Sequence, residues 1–244
     1  MPIGAPPLVP APPYDAIATW GIGGLAVCMA AIVWVVVTRW RAARASTAAV
    51  VIVAWMSLTA FAAASGQLAR FDRVPPPMAL LIVLVFALAF GAGLGPLGGR
   101  LATAVPLATL VGLQTFRLPL ELVMHRAATL GIMPPEMSYS GYNLDIVTGA
   151  AALALALLLR ASVGVPRAVV WIWNLWGLWC LAVITVVAVA SSPMVRAFGD
   201  DPQHLNTWLL FFPYVWLPAV LVTVALAGHF VVTRALMAVR PSAA

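Results

Sequence analysis

Arg117 and Glu121 stand four residues apart in an apolar stretch, Leu101–His125, that otherwise reads as a membrane-spanning helix. An ionised side chain in hydrocarbon costs several kcal/mol unless it is paired or faces a protein interior. At i and i+4 the two side chains share one helix face, close enough for an ion pair. Gln114 and His125 extend the same stripe, and at 100° per residue the four fall within roughly an 80° arc. Pro119 lies between the charges, removes a backbone donor and predicts a local kink. The spacing admits two uses. Arg117 can engage an anionic group of a bound molecule while Glu121 orients it or exchanges a proton. Alternatively, the two form a structural ion pair that fixes helix packing.

A second polar set lies further along the chain. Ser140-Gly141-Tyr142-Asn143-Leu144-Asp145 closes the loop after this stretch, and either Asn143 or Asp145 can cap the next helix. Asp145 sits at a depth that reaches Arg117, and a helix N-terminus beside an arginine makes an anion site. With Tyr139 these residues complete a candidate ligand-binding set of Gln114, Arg117, Glu121, His125, Tyr139, Asn143 and Asp145. Asn174 and His229 lie at similar depth in two later apolar runs and form a second polar pair, read as interhelical glue.

Cofactor chemistry finds little support. His229 is placed near one end of its run while His125 and His204 belong to the other, so no pair of histidines faces across a haem. Cys28 and Cys180 each lie about 18 Å into an apolar run and read as buried free thiols. No HExxH, GxSxG, P-loop or CxxC spacing occurs, so no cofactor or metal is expected. Trp171, Trp173, Trp176 and Trp179 crowd one run and read mainly as interface and lipid anchors.

Composition gives the architecture that holds these residues. With 64% apolar and 8% charged residues, the chain is too poor in polar surface for a soluble domain. Its apolar runs are continuous and about 20 residues long, which suits helices and excludes a β-barrel. The expectation is an all-α, seven-helix membrane bundle forming a single membrane domain over 1–244. The spans are 16–38, 47–66, 77–97, 101–125, 145–160, 168–191 and 207–233. The net charge of +6 does not point to nucleic acid, since the arginines are dispersed at span ends with no basic-aromatic surface.

Arg39, Arg41, Arg44, Arg100, Arg160, Arg167, Arg234 and Arg240 follow alternate spans, and no acid accompanies them. Asp15, Asp72, Glu136, Asp200 and Asp201 fall on the opposite side with the remaining inter-span arginines. By the positive-inside rule the N-terminus is outside and the C-terminus cytoplasmic. Residues 1–15 read as a Pro-rich external tail, and 126–144 as an external loop or lid that folds back over the bundle. A microbial rhodopsin would need a retinal-binding lysine, and the chain has none.

Phe116-Arg117-Leu118-Pro119-Leu120-Glu121, then Met137, Gly141, Asn143, Asp145-Ile146 and Gly149, resemble an uncharacterised family of bacterial multi-span membrane proteins. That family carries F-R-x-P-x-E before a loop ending in G-x-N-x-D-I. Phe212-Pro213-Tyr214-Val215-Trp216-Leu217-Pro218 and His229 are similar to its last span. The resemblance covers the C-terminal half and implies one shared site, but no activity. The expectation is a bacterial inner-membrane protein, surrounded by membrane lipids, that binds or transports a small polar or anionic molecule through an outward-facing pocket. A membrane-embedded enzyme using a carboxylate as acid or base, and a structural or assembly protein, are the alternatives.

Overall fold

The computed structural model of the protein describes residues 9–238, and among these it is helical throughout, with no strand. In chain order the α-helices are α1 (Ala16–Arg39), α2 (Ala45–Ala64), α3 (Pro77–Leu94), α4 (Pro96–Ala104), α5 (Leu107–Gly112), α6 (Arg117–Thr129), α7 (Asp145–Arg160), α8 (Arg167–Ala190) and α9 (Thr223–Met237). A tight 3-10 turn, Leu113–Phe116, joins α5 to α6. A wide π-helical stretch, Leu217–Val222, leads into α9.

Six stretches among the described residues are long and apolar enough to cross a membrane: α1, α2, α3, Leu107–Thr129, α8 and Leu217–Met237. This fits a multi-pass membrane protein and corrects the expected count of seven. The expected fifth span is α7, whose 16 residues rise about 24 Å, short of the ~20 residues that a hydrocarbon core requires. Residues 1–8 of the proline-rich tail, and Arg240, lie outside the described residues.

Prolines set most of the boundaries that differ from expectation. Pro77 and Pro96 open α3 and α4, so the third span stops at Leu94. Pro106 separates α4 from α5, so the fourth span begins at Leu107 and not at Leu101. The last span starts at Leu217, because a 3-10 turn at Trp208–Leu210 and then Pro213 occupy its expected first turns. Pro119 has no N–H for the Thr115 carbonyl, and the 3-10 turn lies where that bond is missing. That is the form the expected irregularity takes.

Hydrogen bonds gather the helix ends into two groups. Arg100 donates to the Ala42 carbonyl, Arg167 to that of Leu236, and Arg234 to those of Gly93, Leu94 and Gly95. The ends of α1, α3 and α9 therefore meet the starts of α4 and α8 at an arginine-rich end. At the opposite end Arg126 of α6 forks onto Asp15, with bonds of 2.9 and 2.7 Å, while Asp15 also caps α1 through the Ala18 N–H. The segment between α6 and α7 turns back against the helices there, burying Ile132, Met133 and Met137. α2 is the least embedded, with only Thr59 and Ala63 buried. Two indoles tie it on: Trp55 Nε1 donates to the Ala219 carbonyl and Trp216 Nε1 to that of Met56.

The Arg126 fork holds the Asp15 carboxyl well below the usual range, from 3.8 to about 2, with the Ala18 N–H contributing next. A carboxylate depressed on folding stabilises above its unfolded value and loses that contribution as pH falls through the folded value. Asp15→Asn keeps the cap but loses the fork. Its melting temperature should therefore lie below wild type by a constant gap above pH about 4. That gap should close between pH about 4 and about 2, followed by thermal melts across this range. A gap that does not change with pH would mean the fork contributes nothing in solution.

Candidate functional site

The polar residues of α6, α7, α8 and α9 meet inside the bundle, and the pairing differs from the one the i,i+4 spacing predicts. Arg117 does not pair with Glu121. Its Nη2 donates to Asp145 Oδ2 at 2.7 Å and its Nη1 bonds His229 Nε2 at 2.9 Å. Arg117 and Glu121 are each 1% exposed, Asp145 6%, and His229 not at all, so this is a desolvated centre. Glu121 instead accepts from Asn143 Nδ2 at 2.8 Å. Arg117 and Glu121 share the regular helix α6, and the arginine turns instead to Asp145 and His229, which α7 and α9 bring to it.

A single chain of bonds joins these groups. An arginine N–H can only donate, so His229 Nε2 accepts and the ring hydrogen sits on Nδ1. That N–H points at Asn174 Oδ1 at 2.9 Å, Asn174 Nδ2 donates to Thr233 Oγ1 at 2.8 Å, and Thr233 Oγ1 donates to the His229 carbonyl. On the other side Asn143 Oδ1 accepts from the Asp145 backbone N–H, linking Glu121 to the ion pair. The expected Asn174–His229 pair is therefore present, but it belongs to the same network as Arg117 and is not a separate feature.

Glycines make room for it. A Cβ on Gly149 would lie 2.5 Å from the Leu118 nitrogen, so α7 reaches the start of α6 only because that atom is absent. A Cβ on Gly177 would overlap the His229 ring. Trp173 flanks that ring at 5.3 Å between centroids and donates its Nε1 to the Thr148 carbonyl at 3.0 Å. Trp173 is thus an interior residue, whereas Trp179 is half-exposed on the outer face of α8.

The remaining candidates separate. Gln114 is fully buried and donates to the Ala225 carbonyl of α9, one turn from His229. His125 and Tyr139 stack on each other with centroids 4.3 Å apart, and His125 also meets Ser140; neither bonds to the network. Thr148, Gly177 and Thr233 join the centre without having been singled out. Their signal is helical spacing, since each lies three or four residues from Asp145, Asn174 and His229 respectively. Two buried oxygens here, Gln114 Oε1 and Glu121 Oε2, have no hydrogen-bond partner among the described residues, while the Thr148 hydroxyl and the Cys180 thiol lie against the Asp145 carboxylate. Among the described residues no group of three or more His, Cys, Asp or Glu side chains is placed to hold a metal.

The profile of a family described as Domain of unknown function (DUF8737) matches residues 74–237, well over half of the chain. The chain belongs to this family. The DUF8737 region contains every member of the network, from Gln114 to Thr233, and α1 and α2 precede it. No curated protein and no solved structure matches the chain.

Two stability measurements test this geometry. Removing one partner of a buried pair leaves the other uncompensated, so Arg117→Ala should cost about 3–5 kcal/mol. In double-mutant cycles Arg117 should couple to Asp145 by about 1–3 kcal/mol and more weakly to Glu121. The reverse order would restore the i,i+4 pairing. Gly177→Ala should cost about 1–3 kcal/mol by overpacking against His229, and a neutral result would show that the ring has room to retreat.

Proposed function

We infer that this protein is a multi-pass membrane protein of a bacterial cell membrane that binds, or carries across the bilayer, a small polar molecule at the α6–α9 network. The observation that carries this reading is the pair of unpartnered oxygens, Gln114 Oε1 and Glu121 Oε2, beside a buried ion pair. Buried polar atoms are nearly always satisfied, and exceptions concentrate at functional sites. Intramembrane ionisable residues that face a bundle interior likewise mark substrate or ion pathways.

The chemistry of the free atoms shapes the ligand. The Arg117 guanidinium already serves Asp145 and His229, which weakens the case for an anion. Carboxylate and amide oxygens accept, so the complementary molecule supplies N–H or O–H groups and carries no negative charge. A structural role remains the second reading. It is favoured by the unbroken bonding from Glu121 to Thr233, which would lock four helices in register.

The arginine-rich end lies in the cytoplasm and the Asp15–Arg126 end outside. The segregation of the acids away from the arginine-rich end supports this.

A ligand panel separates the two functional readings. Guanidinium, methylammonium and urea should raise the melting temperature of protein held in nanodiscs, while acetate and phosphate should not. Glu121→Gln keeps the shape and should abolish the shift from the two cations. A shift from the acids alone, or from no compound at all, would remove the binding proposal and leave the structural one. For orientation, cysteines at Gln203 and Ser162 can be compared after replacing Cys28 and Cys180 with alanine. An impermeant thiol reagent should label the first in intact cells and the second only after permeabilisation; the opposite pattern inverts the assignment.

A further inference from the structure

We propose a second binding site, for a neutral single-chain amphiphile, in the cleft between α3 and α8. A cavity of about 360 Å³ lies there, within the range of about 300–1,000 Å³ seen for small-molecule sites. Met78, Ile82 and Phe86 of α3 form one wall, and Ile184 and Ala188 of α8 form the other. Both walls are helices long and apolar enough to cross a membrane. Among the described residues no charged side chain lines it.

The polarity is ordered along the cleft. Met78 stands in the first turn of α3 and Ala188 in the last turn of α8, so both helices have their Asp15-side ends here. At that end the wall includes Ser192 and Asn206. From Met78 to Phe86 the cleft follows about 12 Å of helix, enough for a medium-length alkyl chain. An amphiphile would thus lie with its head at the membrane surface and its tail along the spans.

Asn206 specifies the head. It is nine-tenths buried, its backbone N–H donates to the Ser191 carbonyl, and its Nδ2 donates to that of Ala188. Its Oδ1 has no partner among the described residues. A lone buried acceptor calls for a donor, so the head carries O–H or N–H. With no charge on the walls, a neutral head is favoured over an ionised one. This site does not depend on the α6–α9 network.

The test uses the full chain in phosphatidylcholine nanodiscs, with a dodecanol derivative bearing a mid-chain diazirine as probe. After photolysis, peptide mapping should find insertion concentrated on α3 and α8 rather than on lipid-exposed α2. Dodecanol should compete, and its methyl ether, which cannot donate, should compete about fivefold less well, the worth of one ordinary hydrogen bond. Asn206→Leu should erase that difference. Ala79→Phe and Ala188→Phe approach the cavity from opposite walls, and whichever retains the wild-type melting temperature should lose the labelling. Insertion spread as heavily over α2, equal competition by the ether, or labelling that survives in a folded cavity-filling variant would each overturn the proposal.

Discussion

The ion pair between Arg117 and Asp145 is the constraint around which the centre of this protein is organised. At 2.7 Å and almost wholly excluded from solvent, it joins the start of α6 to the start of α7. Two opposite charges in such a place are tolerable only together and only when their remaining valences are filled. His229 fills one for the arginine from α9, and Asn174 of α8 then holds the imidazole tautomer that can accept. Four helices are thus committed to one geometry by groups whose separation would leave each with an uncompensated polar atom in an apolar interior.

Close approach makes that geometry attainable. Polar side chains cannot meet across helices held apart by large neighbours, and small residues at the contacts let the backbones come together. Gly149 does this for α7 against α6, and Gly177 for α8 against the histidine of α9. The irregular turns act in the same direction. The 3-10 turn before Arg117 and the π-helical stretch before α9 each rotate the downstream helix, so residues on one chain segment present different faces to the core.

The rest of the fold surrounds this centre unevenly. α3 and α8 leave an apolar cleft between them, and α2, tied on by two indole bonds, buries only Thr59 and Ala63 fully and turns Val50, Val53, Leu58 and Phe61 outward. In water such a surface would drive aggregation, but against hydrocarbon it is a matched face. The polar interior and apolar exterior therefore express a single rule, that polar groups in a bilayer must find partners within the protein.

Composition and periodicity alone were enough to establish a helical chain with spans of membrane length, because 20-residue apolar runs admit no other solution in lipid. They also marked Gln114, Arg117, Glu121, Asn143, Asp145, Asn174 and His229, since each polar group in such a run needs a reason. The partners were legible only in part: depth put Asp145 within reach of Arg117, where the ion pair forms. The i,i+4 rule assigned Glu121 to Arg117, but shared spacing on the regular helix α6 only permits that pair, and Asp145 and His229 on neighbouring helices take the guanidinium instead. His229 was assigned to a separate pair because depth counted along the chain ignores how far α9 is displaced by the turns before it. The count of seven came from taking the 145–160 run, the shortest of the set, as a full crossing, and at 16 residues α7 falls short of one. Sequence determined which residues had to be satisfied. Tertiary structure alone decided by whom, because distances between helices depend on packing at glycines and irregular turns whose geometry no local pattern encodes.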